Sequence, residues 1–106
     1  HKALGPGLLE SAYEECLCRE LMERGLSFKR QCPVPISYKG ASVDCVYRID
    51  ILVEDTIVVE LKAVGHVEPI HHAQLLTYLK LAGKKLGLLI NFNVQVLKDG
   101  IVRVAN

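Results

Sequence analysis

Neither sign of charge is in excess. Thirteen Lys and Arg stand against twelve Asp and Glu, a formal +1, so no global positive field draws in nucleic acid and any polyanion has to be gripped locally. Long apolar runs are missing as well: 50% of the residues are hydrophobic and the mean hydropathy is +0.23, yet no uncharged stretch approaches the ~20 residues that span a bilayer. A membrane span is therefore unsupported. His1 to Gly7 have neither the charged nor the hydrophobic region of a signal peptide, so secretion is not expected, while a start at His rather than Met points to a lost upstream segment. There is no CxxC pair. Cys16, Cys18, Cys32 and Cys45 have no His at a finger-like distance, which argues against structural zinc. We read all four as reduced thiols of a cytoplasmic protein, mostly small core residues. Repeats, low-complexity segments and linkers are absent, and 106 residues leave no room for a second domain. What is left is one domain, residues 1–106, able to bury roughly 65% of its unfolded surface.

From Leu8 to Arg24, Leu9, Ala12, Tyr13, Cys16 and Leu17 recur at helical spacing, and Gly25 follows as a stop. Phe28–Tyr38 carries Pro33 and Pro35 and suits an edge strand. Lys39-Gly40 turns the chain into a second strand, Val43–Val53, and Glu54-Asp55-Thr56 separates it from a β-branched third strand, Ile57–Val64. Pro69 can open a second helix that buries Leu75, Leu76, Leu79 and Ala82 and ends at Gly83. Leu86–Ile90 is then a short, fully apolar strand. Strand, helix and apolar strand in that order imply a right-handed parallel crossover and hence a mixed sheet. Val94–Leu97 and Ile101–Val104, around Lys98-Asp99-Gly100, read as a closing hairpin. The expected fold is α/β, αβββαβ plus a C-terminal β-hairpin, with a helix on each side of one sheet.

Chemistry gathers on the third strand, Val59-Glu60-Leu61-Lys62-Ala63, whose period of two puts Glu60 and Lys62 on one face. If Glu54-Asp55-Thr56 is a three-residue loop, Val53 pairs with Ile57 and Asp50 falls opposite Glu60. Two carboxylates side by side repel unless a cation lies between them, and such an oxygen pair suits Mg²⁺ or Mn²⁺. A two-residue loop would put them on opposite faces. The same alternation also describes the solvated face of an ordinary antiparallel sheet. Against that, the third strand has to neighbour both its hairpin partner and the parallel strand, and charged residues on a central strand usually have a partner or a task. Glu10, at the margin of the first helix's apolar stripe, can lean toward the sheet or simply favour the helix dipole. On the second helix His71, Gln74 and Tyr78 form a polar strip at i, i+3 and i+7, fit to orient a phosphate or to pack at the helix edge.

Gly7-Leu8-Leu9-Glu10-Ser11-Ala12-Tyr13 matches the pattern for which the GxxExxY proteins are named. Further blocks follow in order: Tyr47-Arg48-Ile49-Asp50, Val59-Glu60-Leu61-Lys62, Ala73-Gln74-Leu75-Leu76-Thr77-Tyr78-Leu79 and Leu88-Leu89-Ile90-Asn91-Phe92-Asn93. The chain thus resembles that family over nearly its whole length, and with it the PD-(D/E)XK nuclease superfamily. The resemblance implies a restriction-endonuclease-like αβββαβ core with a truncated N-terminal helix. It places the signature on Asp50, Glu60 and Lys62, with Glu10 as the further acid from the first helix and Gln74 and Tyr78 as supporting positions; Ile49 stands where the signature has Pro.

The combined expectation is a metal-dependent nuclease-like domain. Asp50 and Glu60, aided by Glu10, would bind Mg²⁺ or Mn²⁺, and Lys62 would position the attacking water and offset charge on the phosphorane. Gln74, Tyr78 and His71 would support them. Lys29, Arg30, Arg48, Lys80, Lys84 and Lys85 are the candidates for contacts to nucleic acid, DNA ahead of RNA. Near-neutral charge favours the rival expectation, a non-catalytic nucleic-acid-binding or protein-interaction module of the same fold. A homodimer would reconcile the two by covering a duplex with two small cores.

Overall fold

Helix α1 (Glu10–Glu23) ends in a Schellman arrangement, with the Gly25 N–H on the Met22 carbonyl and the Leu26 N–H on the Leu21 carbonyl, each at 3.0 Å. The computed structural model describes residues 9–34, 36–43, 47–94 and 97–106. The buried face of α1 is Tyr13, Glu14, Cys18 and Leu21. It is rotated from the expected stripe, because Leu9 and Cys16 are exposed and a carboxylate takes part in the buried side. Arg30 and Gln31 supply the donors that make burial of Glu14 tolerable.

Five strands form the main sheet in the order β1 (Phe28–Pro33), β4 (Arg48–Val53), β5 (Ile57–Lys62), β6 (Leu86–Asn91) and β7 (Ile101–Ala105). Only β5 and β6 run parallel, joined by helix α2 (Pro69–Ala82), so the sheet is mixed and β5 is central, as the sequence implies. The long first and second strands are each cut short. Ile36–Tyr38 (β2) and Ala41–Val43 (β3) instead pair with each other as a separate ribbon. Its Lys39-Gly40 turn has φ of +51° and +78°, the mirror-image geometry that matches strand twist. Pro33, which has no N–H to give, is the last β1 residue paired with β4. Pro35 and Cys45 lie outside the described residues.

The closing hairpin has a different first strand from the expected one. Leu97–Gly100 is a short 3₁₀ helix, and Ile101–Ala105 pairs antiparallel with β6 from Leu86↔Ala105 to Ile90↔Ile101. Without β7 the outer edge of an apolar strand would keep unpaired N–H and C=O groups. Gln95 and Val96 lie outside the described residues.

The two sheet faces carry separate cores. Tyr13, Leu21, Ile51, Val59, Leu61 and Phe92 meet under α1. Val34, Leu52, Val58, Leu75, Leu79 and Leu89 meet under α2. Cys16 is exposed, Cys18 buried and Cys32 half-buried, all as free thiols. Among the described residues, no helix is long and apolar enough to cross a membrane.

Two glycines mark close approaches. A Cβ on Gly100 would lie 2.0 Å from the Asn91 carbonyl oxygen, whereas one on Gly87 would meet only the Leu75 side chain, at 3.0 Å. Backbone yields less readily than a side-chain tip, so Gly100→Ala should cost about 1–3 kcal/mol and Gly87→Ala less. Paired thermal melts check the order; equal melting temperatures for the two variants would contradict it.

Candidate active site

The β4–β5 ladder runs Val53↔Ile57, Leu52↔Val58, Ile51↔Val59 around a three-residue loop, Glu54-Asp55-Thr56. That register sets Asp50 against Glu60. The ladder stops one pair short of them, while β4 stays paired with β1 as far as Arg48 and β5 with β6 as far as Lys62. Two N–H groups at the parting of the strands would be left without ladder partners. The two carboxylates take them: the Asp50 N–H donates to Glu60 Oε1 at 3.1 Å and the Leu61 N–H donates to Asp50 Oδ2 at 2.8 Å.

A backbone irregularity accompanies the gap. Gln31, which the β1–β4 register places opposite Asp50, has φ +52° inside a strand. Across this position the inward and outward sense of both strands reverses. Phe28 and Ile51 pack under α1, while Cys32 and Ile49, each an even number of residues away, pack under α2. Because both strands turn together, no residue is inserted and the register survives.

Electrostatics mark the same spot. Glu60 is only 6% exposed, and burial followed by the charge of Asp50 pushes its pKa up to about 8; Lys62 opposes this and Glu10 adds to it. Burial also raises Asp50, reinforced by Glu14 and opposed by the Leu61 N–H, the Gln31 amide and Lys62. Both acids thus share one electrostatic neighbourhood with Lys62, Glu10 and Glu14.

Asp50, Glu60, Lys62 and Glu10 are therefore brought together from three elements. Glu10, on the exposed first turn of α1, lines a pocket of about 160 Å³ with Ser11, Glu14, Gln31, Asp50 and Leu61. The α2 residues are placed differently. His71 caps its own helix, its Nδ1 accepting from the Glu68 N–H at 2.9 Å, while the Glu68 side chain takes the His71 N–H. Tyr78 is buried among the α2-side core with its ring 6.2 Å from that of Tyr47, and Gln74 is half-buried one turn earlier.

The six candidate cations divide. Arg48, exposed at the start of β4, donates from Nη1 to the Gln31 carbonyl at 3.4 Å. Arg30 is held by Glu14 at 2.7 Å and Glu15 at 2.6 Å, and these bonds raise its pKa further. Lys84 binds the Asp55 carbonyl at 2.8 Å. With Lys80 and Lys85 it lies toward the loop end of the sheet, roughly 16 Å of strand from Lys62 at ~3.3 Å per residue. Lys29 is exposed on the edge strand.

Sequence reasoning missed Glu14, Gln31 and Asn91. Glu14 had a signal, lying four residues from Glu10 on the same helix face. Asn91 ends an apolar strand, and its buried amide clamps Val64 from both sides: Oδ1 accepts the Val64 N–H at 3.0 Å and Nδ2 donates to the Val64 carbonyl at 2.9 Å. Gln31 had none, for nothing in an edge-strand sequence announces a left-handed residue. A concavity of about 650 Å³ lies on the other flank of α1, lined by Tyr13, Leu17, Ile90, Phe92 and Leu97 among others; neither Asp50 nor Glu60 lines it.

A family model described as the PD-(D/E)XK nuclease superfamily matches residues 1–104. No curated protein and no solved structure matches the chain.

The Glu60 proton leaves the unfolded chain near pH 4.5 and the folded metal-free protein near pH 8. The folded state binds it more tightly, so stability falls as pH rises through that window. Glu60→Gln should therefore melt close to the parent at pH 5 and above it at pH 8, by at least about 1 kcal/mol or roughly 4–8 °C. Thermal melts in EDTA at the two pH values test this; a parent and variant that keep the same difference at both would refute it.

Proposed function

Because the chain belongs to the PD-(D/E)XK nuclease superfamily, we propose that it is a metal-dependent nuclease-like protein that hydrolyses phosphodiester bonds in nucleic acid. The observation that carries this reading is the pairing of Asp50 and Glu60 where β4 and β5 part, with Lys62 in the same electrostatic neighbourhood.

The donor set fits a hard divalent cation. Each acid already has one oxygen on a backbone N–H, and both are disfavoured as anions by burial and by acidic neighbours. An ion between them would relieve that repulsion. Among the described residues no group of three or more His, Cys, Asp and Glu side chains gathers as a full ligand set. Two carboxylates with the remaining positions left to water and substrate oxygens is an ordinary way to hold Mg²⁺ or Mn²⁺. Bound there, the ion supplies a Lewis acid to the phosphoryl oxygen and acidifies water.

The chain's own residues do the rest. Lys62 orients the attacking water and offsets the negative charge that develops on the phosphorane. Its place is fixed from β6, where the Phe92 N–H donates to the Lys62 carbonyl at 2.8 Å. Glu10 faces the carboxylate pocket from α1 as the further acid. The resemblance assigns Gln74 and Tyr78 supporting positions on α2, and His71 fixes that helix's first turn. Within the superfamily, the ordered blocks from Gly7 to Asn93 favour the GxxExxY family. DNA is the preferred substrate over RNA, two copies would together cover a duplex, and the free thiols favour a cytoplasmic setting.

One observation favours the rival, a non-catalytic binding module. Arg30 and Lys84 are already engaged by acids of this chain, which leaves a modest set of cations for a phosphate backbone.

Incubation with single-stranded, duplex and branched DNA and with RNA, in Mg²⁺ or Mn²⁺ with an EDTA control, separates the readings. The parent should cut at least one of these substrates in metal only. Lys62→Ala should lose 10²-fold or more in rate while still binding Mn²⁺, because the lysine acts on the transition state rather than on the ion. Binding without cleavage by the parent under every metal would establish the module instead.

A further inference from the structure

Gln31 stands out from every other residue around the carboxylates. It holds φ +52° in the middle of a strand, a conformation that side chains other than glycine adopt only at a cost. Such strain persists where the surroundings over-determine it, and functional sites are where it collects. The residue is exposed, yet its carboxamide stands between two acids. Nε2 donates to Glu14 Oε1 at 2.7 Å and lies 3.5 Å from Asp50 Oδ1.

The two contacts differ in kind. Glu14 is fully committed: besides Gln31 it takes Arg30 Nη2 at 2.7 Å and Nε at 3.3 Å on its other oxygen. Asp50 Oδ1 sits at the weak limit of a hydrogen bond, while its partner oxygen is fixed by the Leu61 N–H at 2.8 Å. The amide therefore stands as an uncharged spacer between two carboxylates, holding one as a structural anion and leaving the other oriented with an oxygen that can be given up to a ligand.

We propose that Gln31 is a positioning residue for the divalent cation, its strained backbone serving to keep Glu14 away from Asp50 and Asp50 Oδ1 turned toward the ion. This rests on the reading of Asp50 and Glu60 as the metal-binding pair. Relief of the strain should then separate stability from metal binding. Gln31→Gly accepts the left-handed backbone without steric cost but has no amide. Gln31→Asn tolerates that backbone and retains a shorter amide.

The test is calorimetric titration of Mn²⁺ alone into the parent and both variants, with metal-free melting temperatures measured alongside. Gln31→Gly should melt within a few degrees of the parent or above it, yet bind Mn²⁺ tenfold or more weakly, and Gln31→Asn should fall between the two in affinity. Equal affinity in all three proteins overturns the proposal. So does a Gln31→Gly variant that fails to fold, or affinity and melting temperature that fall together in both variants, because each makes Gln31 structural only. A parent that binds no Mn²⁺ overturns the metal reading itself and this inference with it, an outcome distinct from a parent that binds and variants that match it.

Discussion

Two carboxylates side by side at a break in the sheet, both made harder to ionise by burial and Glu60 further by the charge of Asp50, are the constraint on which the rest of the site depends. Asp50 and Glu60 are kept there because each repairs a break in the sheet. Where β4 leaves β5, the N–H groups of Asp50 and Leu61 lose their ladder partners, and the acids supply acceptors. An unpaired buried N–H costs a sizeable fraction of a domain's net stability. The acids are thus tolerated as structural acceptors, and the repulsion left over is what a cation can relieve. In the proposed reading, one arrangement serves folding and would prepare metal binding.

The surrounding scaffold fixes the flanks of this pair from distant parts of the chain. Tyr13 stacks on Phe92 with ring centroids 4.3 Å apart and planes 8° from parallel, which docks α1 against the end of β6. Glu14 ties the same helix to the edge strand through Arg30. On the far side, Asn91 holds Val64 as a strand partner would, so the end of β5 that carries Lys62 is tied down where the chain leaves the sheet. Helix α1 and the end of β6 therefore enter the geometry of a site whose acids stand on strands.

The charge pattern of the surface is consistent with a local grip on nucleic acid rather than a global one. With a formal +1, attraction at long range is small, and two of the candidate cations, Arg30 and Lys84, are already paired with acids of this chain. In the proposed reading, recognition would depend on the ion and on short-range contacts to the exposed cations.

Local rules carried much of this in the sequence alone. The order of helices and strands, the parallel crossover and the central place of the third strand follow from side-chain period and turn residues, which act over a few positions. The pairing of Asp50 with Glu60 followed only on the condition of a three-residue loop, and the structure supplied that condition. The rest was decided by contacts between residues far apart in the chain. Glu14 is buried because donors sixteen and seventeen residues away meet it. The division of the first two strands, the choice of β7 as partner for β6 and the engagement of His71 at a helix cap each depend on which unpaired backbone groups remain once the sheet is assembled. The left-handed turn at Gln31 is the clearest case: its cost is local and visible, whereas its cause, two carboxylates on different elements that need an amide between them, exists only in the folded chain.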